Sequence, residues 1–283
     1  MKLAALALCA VAAVTQFGAS AAPTNYACAG AINYQVITIL NTGSTTKDGS
    51  RCIQGAEGEG YTVGFANFST IYGDALAVVQ GYMKAPTYKG EFDKYLPVLQ
   101  QNAAGRDGTV EGLEGFCDAW AAASKETLPF FSAQIDVARA MYDKPSLLYA
   151  RKLKLKFPVG KSILFDTAVT DGFGQKGNGV GAMVSATNAQ FTKDAPGNSG
   201  STLNINGHKV DEIVWYRAYL DVRDKLATNP NTKTHTKVYR SILDNGGQGF
   251  NEKISFTGPD GKKTTAKCGK ASLEKDRLAN LKN

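Results

Sequence analysis

The chain has 283 residues, of which 43% are hydrophobic, and its 30 glycines and nine prolines are spread along its length. This composition predicts a globular protein and excludes the fibrous and disordered classes. The net charge is +7, but the basic residues are too scattered, and too little interleaved with aromatic residues, to indicate nucleic-acid binding.

The N-terminal residues are typical of a secretory signal peptide. A basic start at Lys2 precedes an apolar run over residues 3–14, and Ala19-Ser20-Ala21 supplies the small side chains of a cleavage site. We therefore predict a signal peptide over residues 1–21 and a secreted, extracellular protein. The run is shorter than the roughly 20 apolar residues that span a membrane, so we expect no membrane anchor.

The cysteines predict disulfides. Cys9 lies in the predicted signal peptide, and four cysteines in an oxidising compartment allow three pairings into two disulfides. We favour Cys52–Cys117 and Cys28–Cys268, because the second would join the two ends of the chain. No Cys-x-x-Cys spacing supports a zinc site, so we expect no metal and no cofactor.

The first part of the chain has mixed local preferences. Residues 34–40 are apolar and β-branched, which favours helix and strand equally. Residues 57–68 alternate and are rich in glycine and aromatics, as in a short strand or hairpin. Asp74 is a suitable N-cap for a helix over residues 75–83. Residues 105–112 form a glycine-rich loop.

The rest of the chain is predicted to be mostly helical. Helical spacing recurs over residues 92–101, 115–123, 127–141, 147–170 with a break at Pro158, 182–191, 210–227 and 234–244. We expect a polar surface loop over residues 194–207 and a hairpin at Gly258-Pro-Asp-Gly261.

Several short segments resemble a known enzyme family. Gly58-Glu-Gly-Tyr-Thr62, followed by Gly73-Asp-Ala-Leu76, is similar to the signature segment of the chitosanases of glycoside hydrolase family 46. Further segments match in order: Lys94-Tyr-Leu-Pro97, Gly115-Phe116 with Trp120, Ala133-Gln134 to Tyr142, Asp166-Thr167, Tyr219-Leu-Asp-Val-Arg223 and Arg240-Ser-Ile242. The similarity covers roughly residues 33–256.

This resemblance implies a fold and an activity. The fold would be α+β and mostly helical: a two-lobed, lysozyme-like plan with a small antiparallel sheet in the first lobe and a cleft between the lobes. A chitosanase-like catalytic domain would occupy residues 22–270, and a charged tail would follow over residues 271–283. The activity would be endo-hydrolysis of β-1,4 bonds in chitosan or partly deacetylated chitin by inversion. We expect a monomer whose partner is this polysaccharide.

The resemblance also places the catalytic positions. An inverting glycosidase needs one carboxyl group as acid and a second as base. The family's base, an Asp, corresponds to Glu57. The family's acid, a Glu sixteen residues earlier, corresponds to Asn41, which cannot donate a proton as an acid. No Asp or Glu occurs over residues 23–47. Loss of such an acid typically costs about 10²–10⁴-fold in rate.

Neighbouring residues are implied substrate contacts. Asp74 matches an Asp that faces the amines of the substrate, and Tyr61 and Thr62 belong to the same signature segment. Glu59 stands where the family has Arg. A strand would place Glu57 and Glu59 on one face, where one of the two carboxyl groups could hold a proton.

A second set of residues is expected to be structural. Asp166, Arg223 and Arg240 match an ion network behind the family's cleft, and such buried sets are costly to break. His208 and His235 lie in polar stretches, and we expect both to be solvated.

Two other functions stay open at this point. Asn41 favours a catalytically impaired relative that binds an amino-sugar polymer as a lectin or decoy. The positive net charge favours a muramidase-like hydrolase that acts on the bacterial cell wall.

Overall fold

The computed structural model describes residues 26–44, 49–126 and 128–268. The predicted signal peptide over residues 1–21 and the predicted tail over residues 271–283 lie outside these ranges. None of the described helices is long and apolar enough to cross a membrane.

The described residues are mostly helical, as expected. The α-helices are α1 (Tyr26–Thr42), α2 (Asp74–Tyr82), α3 (Leu96–Gly105), α4 (Phe116–Glu126), α5 (Leu128–Ala138), α6 (Lys144–Leu153), α7 (Pro158–Asp171), α8 (Val180–Asn188), α9 (Glu212–Leu226) and α10 (Thr232–Asp244). A π-helical turn at Arg139–Asp143 connects α5 to α6. The ambiguous residues 34–40 are therefore helical.

The strands form three small antiparallel sheets among the described residues. They are β1 (Cys52–Gln54), β2 (Tyr61–Val63), β3 (Phe68–Ser69), β4 (Thr202–Ile205), β5 (His208–Asp211), β6 (Lys253–Thr257) and β7 (Lys263–Lys267). Strands β1, β2 and β3 make the sheet expected in the first lobe, and Ile53 pairs with Thr62 across it. The expected hairpin around residues 258–261 is confirmed as β6 and β7.

The predicted loop over residues 194–207 is wrong in its second half, because it contains β4. Leu203 and Ile205 are 2% and 3% exposed, while the residues that alternate with them face solvent. Asn206 and Gly207 have φ values of 54° and 87°, as the central residues of a type I′ hairpin turn require. Burial of the two alternate apolar side chains makes this polar stretch a strand.

Buried side chains form two hydrophobic cores. The first is rich in aromatics and is built by α2 to α5 with β2 and β3; Phe92 stacks on Phe130 there at a centroid distance of 5.4 Å. The second is built by α1 and α6 to α10 with β4 to β7. Ile37 of α1 and Phe165 of α7 belong to the first core, so these two helices pack against both cores.

Two disulfides tie these elements together. Cys52–Cys117 joins β1 to α4 with a Cα–Cα distance of 5.4 Å. Cys28–Cys268 joins α1 to the residue that follows β7, with a Cα–Cα distance of 5.2 Å. These are the pairings that the sequence analysis favoured.

A buried ion cluster lies in the second core. The Asp166 and Arg223 side chains are fully buried, and Nη1 of Arg223 lies 2.6 Å from Oδ2 of Asp166. His235 was expected to be solvated, but it is 2% exposed, and its Nδ1 lies 3.0 Å from Oδ1 of Asp166. An ionised carboxylate only accepts hydrogen bonds, so Nδ1 of His235 is the donor.

The prediction that Arg240 joins this cluster is wrong. Its Nη2 lies 2.9 Å from Asp221 and 2.7 Å from Asp224, at a partly exposed site. Arg240 follows His235 by five residues on α10, which is about 140° around a helix of 3.6 residues per turn. When His235 faces Asp166, Arg240 must therefore face elsewhere.

We expect Asp166→Asn to lower the free energy of unfolding by about 3–5 kcal/mol, because it leaves the buried Arg223 without its main counter-charge. Arg240→Gln removes a partly exposed pair and should cost less than about 1 kcal/mol. Urea unfolding with the disulfides intact measures both values, and equal losses would contradict the cluster's structural role.

The same cluster predicts how stability depends on pH. Burial alone would raise the pKa of Asp166, but the charges of His235 and Arg223 and their hydrogen bonds lower it from 3.8 to about 2. A carboxyl with a lowered folded pKa stabilises the protein above its unfolded pKa, and this contribution is lost as pH falls. The free energy of unfolding should fall between about pH 4 and pH 2. That slope should be flatter in Asp166→Asn, and an unchanged slope would refute this assignment.

Candidate active site

The turn over residues 55–60 joins β1 to β2 and carries Glu57. The backbone N–H of Ala56 donates to the carboxylate of Glu59 over 3.0 Å. The expectation that Glu57 and Glu59 share a strand face is therefore wrong, because both lie in the turn. Glu59 accepts this hydrogen bond and thereby closes the turn. Glu57 is exposed, and it is the free carboxylate of the turn.

Glu57 lines a cavity of about 400 Å³. The cavity lies between the turn over residues 55–60 and the loop over residues 106–112. Its lining residues are Gln54, Ala56, Glu57, Gly58, Gly108, Thr109, Val110 and Glu111. A volume of about 300–1,000 Å³ is usual for sites that bind small ligands.

The contact between the two segments that line this cavity depends on a glycine. A Cβ atom on Gly108 would lie 1.8 Å from the carbonyl oxygen of Gly58, so only glycine allows the loop backbone to touch the turn. The loop is also held from α3, where Nδ2 of the fully buried Asn102 donates to the carbonyl oxygen of Thr109 over 2.8 Å.

The start of the sheet is fixed from the first core. The carbonyl oxygen of Gly49 accepts hydrogen bonds from Nε1 of Trp120 over 2.8 Å and from Nε2 of Gln134 over 3.1 Å. The Cys52–Cys117 disulfide follows within three residues. These contacts hold β1, and through it the turn that carries Glu57.

Asn41 lies at the end of α1 and is 6% exposed. Its Nδ2 donates to the carbonyl oxygen of Ile37 over 2.9 Å, and its Oδ1 accepts from Nδ2 of Asn67 over 2.6 Å. Arg51 in turn donates to Oδ1 of Asn67. Sequence reasoning missed Asn67 and Arg51, because they lie 26 and 10 residues from Asn41 along the chain.

Asp74 is not the N-cap residue that was predicted. Gly73 is the N-cap and Asp74 opens α2, where its Oδ1 accepts from the backbone N–H of Ser69 over 2.8 Å. The hydroxyl of Tyr142 donates to Oδ2 over 2.5 Å. Burial raises the pKa of this carboxyl, which is 2% exposed. Sequence reasoning missed Tyr142, and contact of Asp74 with substrate stays a prediction.

Tyr61 and Thr62 follow the turn on β2 and are half-buried. The Tyr61 ring lies 6.0 Å from the ring of Phe116, and Thr62 pairs with Ser69 of β3. Both residues are close to the turn along the chain, and their contact with substrate also stays a prediction.

The chain is similar to known glycoside hydrolases. A model of glycosyl hydrolase family 46 matches residues 51–248. The chain is 30% identical to a chitosanase of Bacillus subtilis (strain 168) over 209 residues, which are 74% of this chain and 71% of that relative. The chain therefore belongs to glycosyl hydrolase family 46. The match to the family model begins at Arg51, so Asn41 lies outside the residues that this model matches.

Solved structures agree with this assignment. The native chitosanase of Bacillus subtilis MY002 has a TM-score of 0.71 and 25% identity, and the match covers 84% of this chain and 98% of that one. A family 46 chitosanase of Gynuella sunshinyii in complex with chitotetraose has a TM-score of 0.73 and 25% identity, with coverage of 87% and 100%. The expected two-lobed, lysozyme-like fold is thereby confirmed.

We expect Gly108→Ala to destabilise the protein by about 1–3 kcal/mol, the usual cost of an overpacked site. The added methyl group meets backbone atoms, which no rotamer change can relieve. Gly105→Ala is the matched control, because its Cβ has no neighbour closer than 3.9 Å. Thermal unfolding compares the two variants, and equal melting temperatures would contradict the close contact.

Proposed function

We propose that this protein is a secreted, endo-acting hydrolase that cleaves β-1,4 bonds in chitosan or partly deacetylated chitin with inversion. The observation that carries the proposal is Glu57, an exposed carboxylate beside a ligand-sized cavity in a chain of family 46.

The ligands of the similar structures support this substrate class. A mutant chitosanase of Bacillus subtilis MY002, complexed with six GlcN units, has a TM-score of 0.71 and 26% identity to this chain. The Gynuella sunshinyii enzyme is in complex with chitotetraose. Both ligands are oligomers of amino sugars.

The charge of the cavity supports the same class. The carboxylate of Glu57 lines it, and none of its lining residues is basic. A polymer of protonated glucosamine is a polycation, and a locally acidic site attracts it although the whole chain carries a net charge of +7.

In this proposal Glu57 is the general base. Its carboxylate takes a proton from water as the water oxygen bonds to the anomeric carbon, on the face opposite to the leaving group. Glu57 has no hydrogen bond or ion pair within the described residues, so its carboxylate is available to water. Asp74, Tyr61 and Thr62 are proposed to contact the sugar chain around this point.

The two disulfides support secretion, because disulfides persist in extracellular compartments and are rare in reducing ones. The second of them closes α1 onto the end of β7.

A second candidate is a non-catalytic protein that binds amino-sugar polymers. Asn41 favours it, because a neutral amide stands where the family resemblance expects the acid. The Nδ2 and Oδ1 atoms of its side-chain amide are engaged with Ile37 and Asn67, and a neutral amide is not an acid that could donate a proton.

We expect Glu57→Gln to lower the turnover of chitosan by about 10²–10⁴-fold, while chitosan binding is retained. A reducing-end assay measures turnover, and sedimentation with insoluble chitosan measures binding. Glu252→Gln, an exposed carboxyl near the second core, is the control and should match the native protein.

The rival functions give different results. Binding without turnover by the native protein would favour the lectin-like candidate and refute the enzyme. Lysis of bacterial cell walls without cleavage of chitosan would refute the proposed substrate and favour a muramidase.

A further inference from the structure

We propose that Glu111 is the general acid of this enzyme and replaces the carboxyl group that Asn41 lacks. The inference rests on the proposed function, since it names the partner that Glu57 needs for inversion.

Glu111 and Glu57 come from the two segments that enclose one cavity. Glu57 lies on the turn over residues 55–60, and Glu111 lies on the loop over residues 106–112. The cavity of about 400 Å³ between these segments has room for a water molecule and part of a sugar chain. The two carboxyls of inverting glycosidases are typically about 6.5–9.5 Å apart, which leaves room for the attacking water.

The nearby carboxyl groups divide into engaged and free ones. Three of them accept a backbone hydrogen bond: Glu59 from Ala56, Asp107 from Thr109, and Glu114 from Gly112. The carboxyls of Glu57 and Glu111 have no hydrogen bond or ion pair with any described residue. The two free groups are the ones that line the cavity.

The loop that carries Glu111 is braced at several points. Nδ2 of Asn102 donates to the carbonyl oxygen of Thr109 over 2.8 Å, and the backbone N–H of Glu111 donates to Oγ1 of Thr109 over 3.3 Å. Leu113 is fully buried in the first core. Rigid support of this kind is what a catalytic group needs to stay in position.

Asn41 and Asp74 are unsuitable as proton donors. Asn41 carries an amide, and Asp74 is buried with both of its oxygens engaged by Ser69, Ala75 and Tyr142. Neither can offer a proton to a bond in the cavity beside Glu57.

The step balances with these two groups and one water. Protonated Glu111 gives its proton to the glycosidic oxygen as the bond from that oxygen to the anomeric carbon breaks, and the bonding electrons stay on the oxygen. Water bonds to the same carbon and gives a proton to Glu57. Proton exchange with solvent then restores both groups.

The experiment compares two substrates that differ in their need for acid. The leaving group of chitosan is a sugar hydroxyl, which needs a proton to leave. In a 2,4-dinitrophenyl β-glycoside of a glucosamine oligomer the leaving group is 2,4-dinitrophenolate, which leaves without a proton. We expect Glu111→Gln to lose about 10²–10⁴-fold on chitosan and less than about 10-fold on the dinitrophenyl substrate. Glu57→Gln should lose activity on both. Glu114→Gln, which keeps an acceptor for Gly112, is the control on the same loop and should equal the native protein.

Three outcomes overturn the inference. Activity of Glu111→Gln on chitosan within about 3-fold of native would show that Glu111 gives no proton, while leaving the proposed function intact. An equal loss on both substrates would indicate a binding or structural role. Absence of turnover by the native protein on either substrate would refute the proposed function together with this assignment.

Discussion

The candidate site depends on one close backbone contact, in which Gly108 lies against the carbonyl of Gly58. This contact brings a loop that follows α3 onto a turn that follows β1, and the cavity lies between them. Each side is anchored in the first core, the turn through Trp120 and the Cys52–Cys117 disulfide and the loop through Asn102. Because Trp120 and Asn102 are fully buried, the two carboxyl groups beside the cavity sit on supported backbone.

The same region shows how carboxylates divide between structure and chemistry. Glu59 closes the turn, and Asp74 joins the start of α2 to Tyr142 in the π-helical turn. Removing a carboxylate from water costs free energy unless hydrogen bonds in the protein satisfy it. The buried Asp74 therefore holds the surrounding backbone in position. The exposed groups that have no partner among the described residues are the ones available to water and to the proposed substrate.

The buried cluster in the second core has a different task. Asp166, Arg223 and His235 come from three separate helices, α7, α9 and α10. A buried charge is tolerated only when it is paired, so these helices pack in the one arrangement that brings the groups together. Since α7 also packs against the first core through Phe165, the cluster helps to set how the two cores meet.

The sequence by itself determined the helices with strong periodicity, the family resemblance and the absence of a carboxyl at residue 41. It also restricted the disulfides to three possible pairings. These features are local or follow from residue identity. The Asn206-Gly207 dipeptide is a signal for a type I′ hairpin turn, but the stretch around it was predicted to be a loop, and β4 was missed. Only the tertiary structure placed Glu111 in the lining of the same cavity as Glu57, moved Arg240 out of the ion cluster and brought His235 into it. The physical reason is that an exposed Glu in a glycine-rich loop has no local pattern, and its neighbours are decided by the docking of segments about 50 residues apart along the chain.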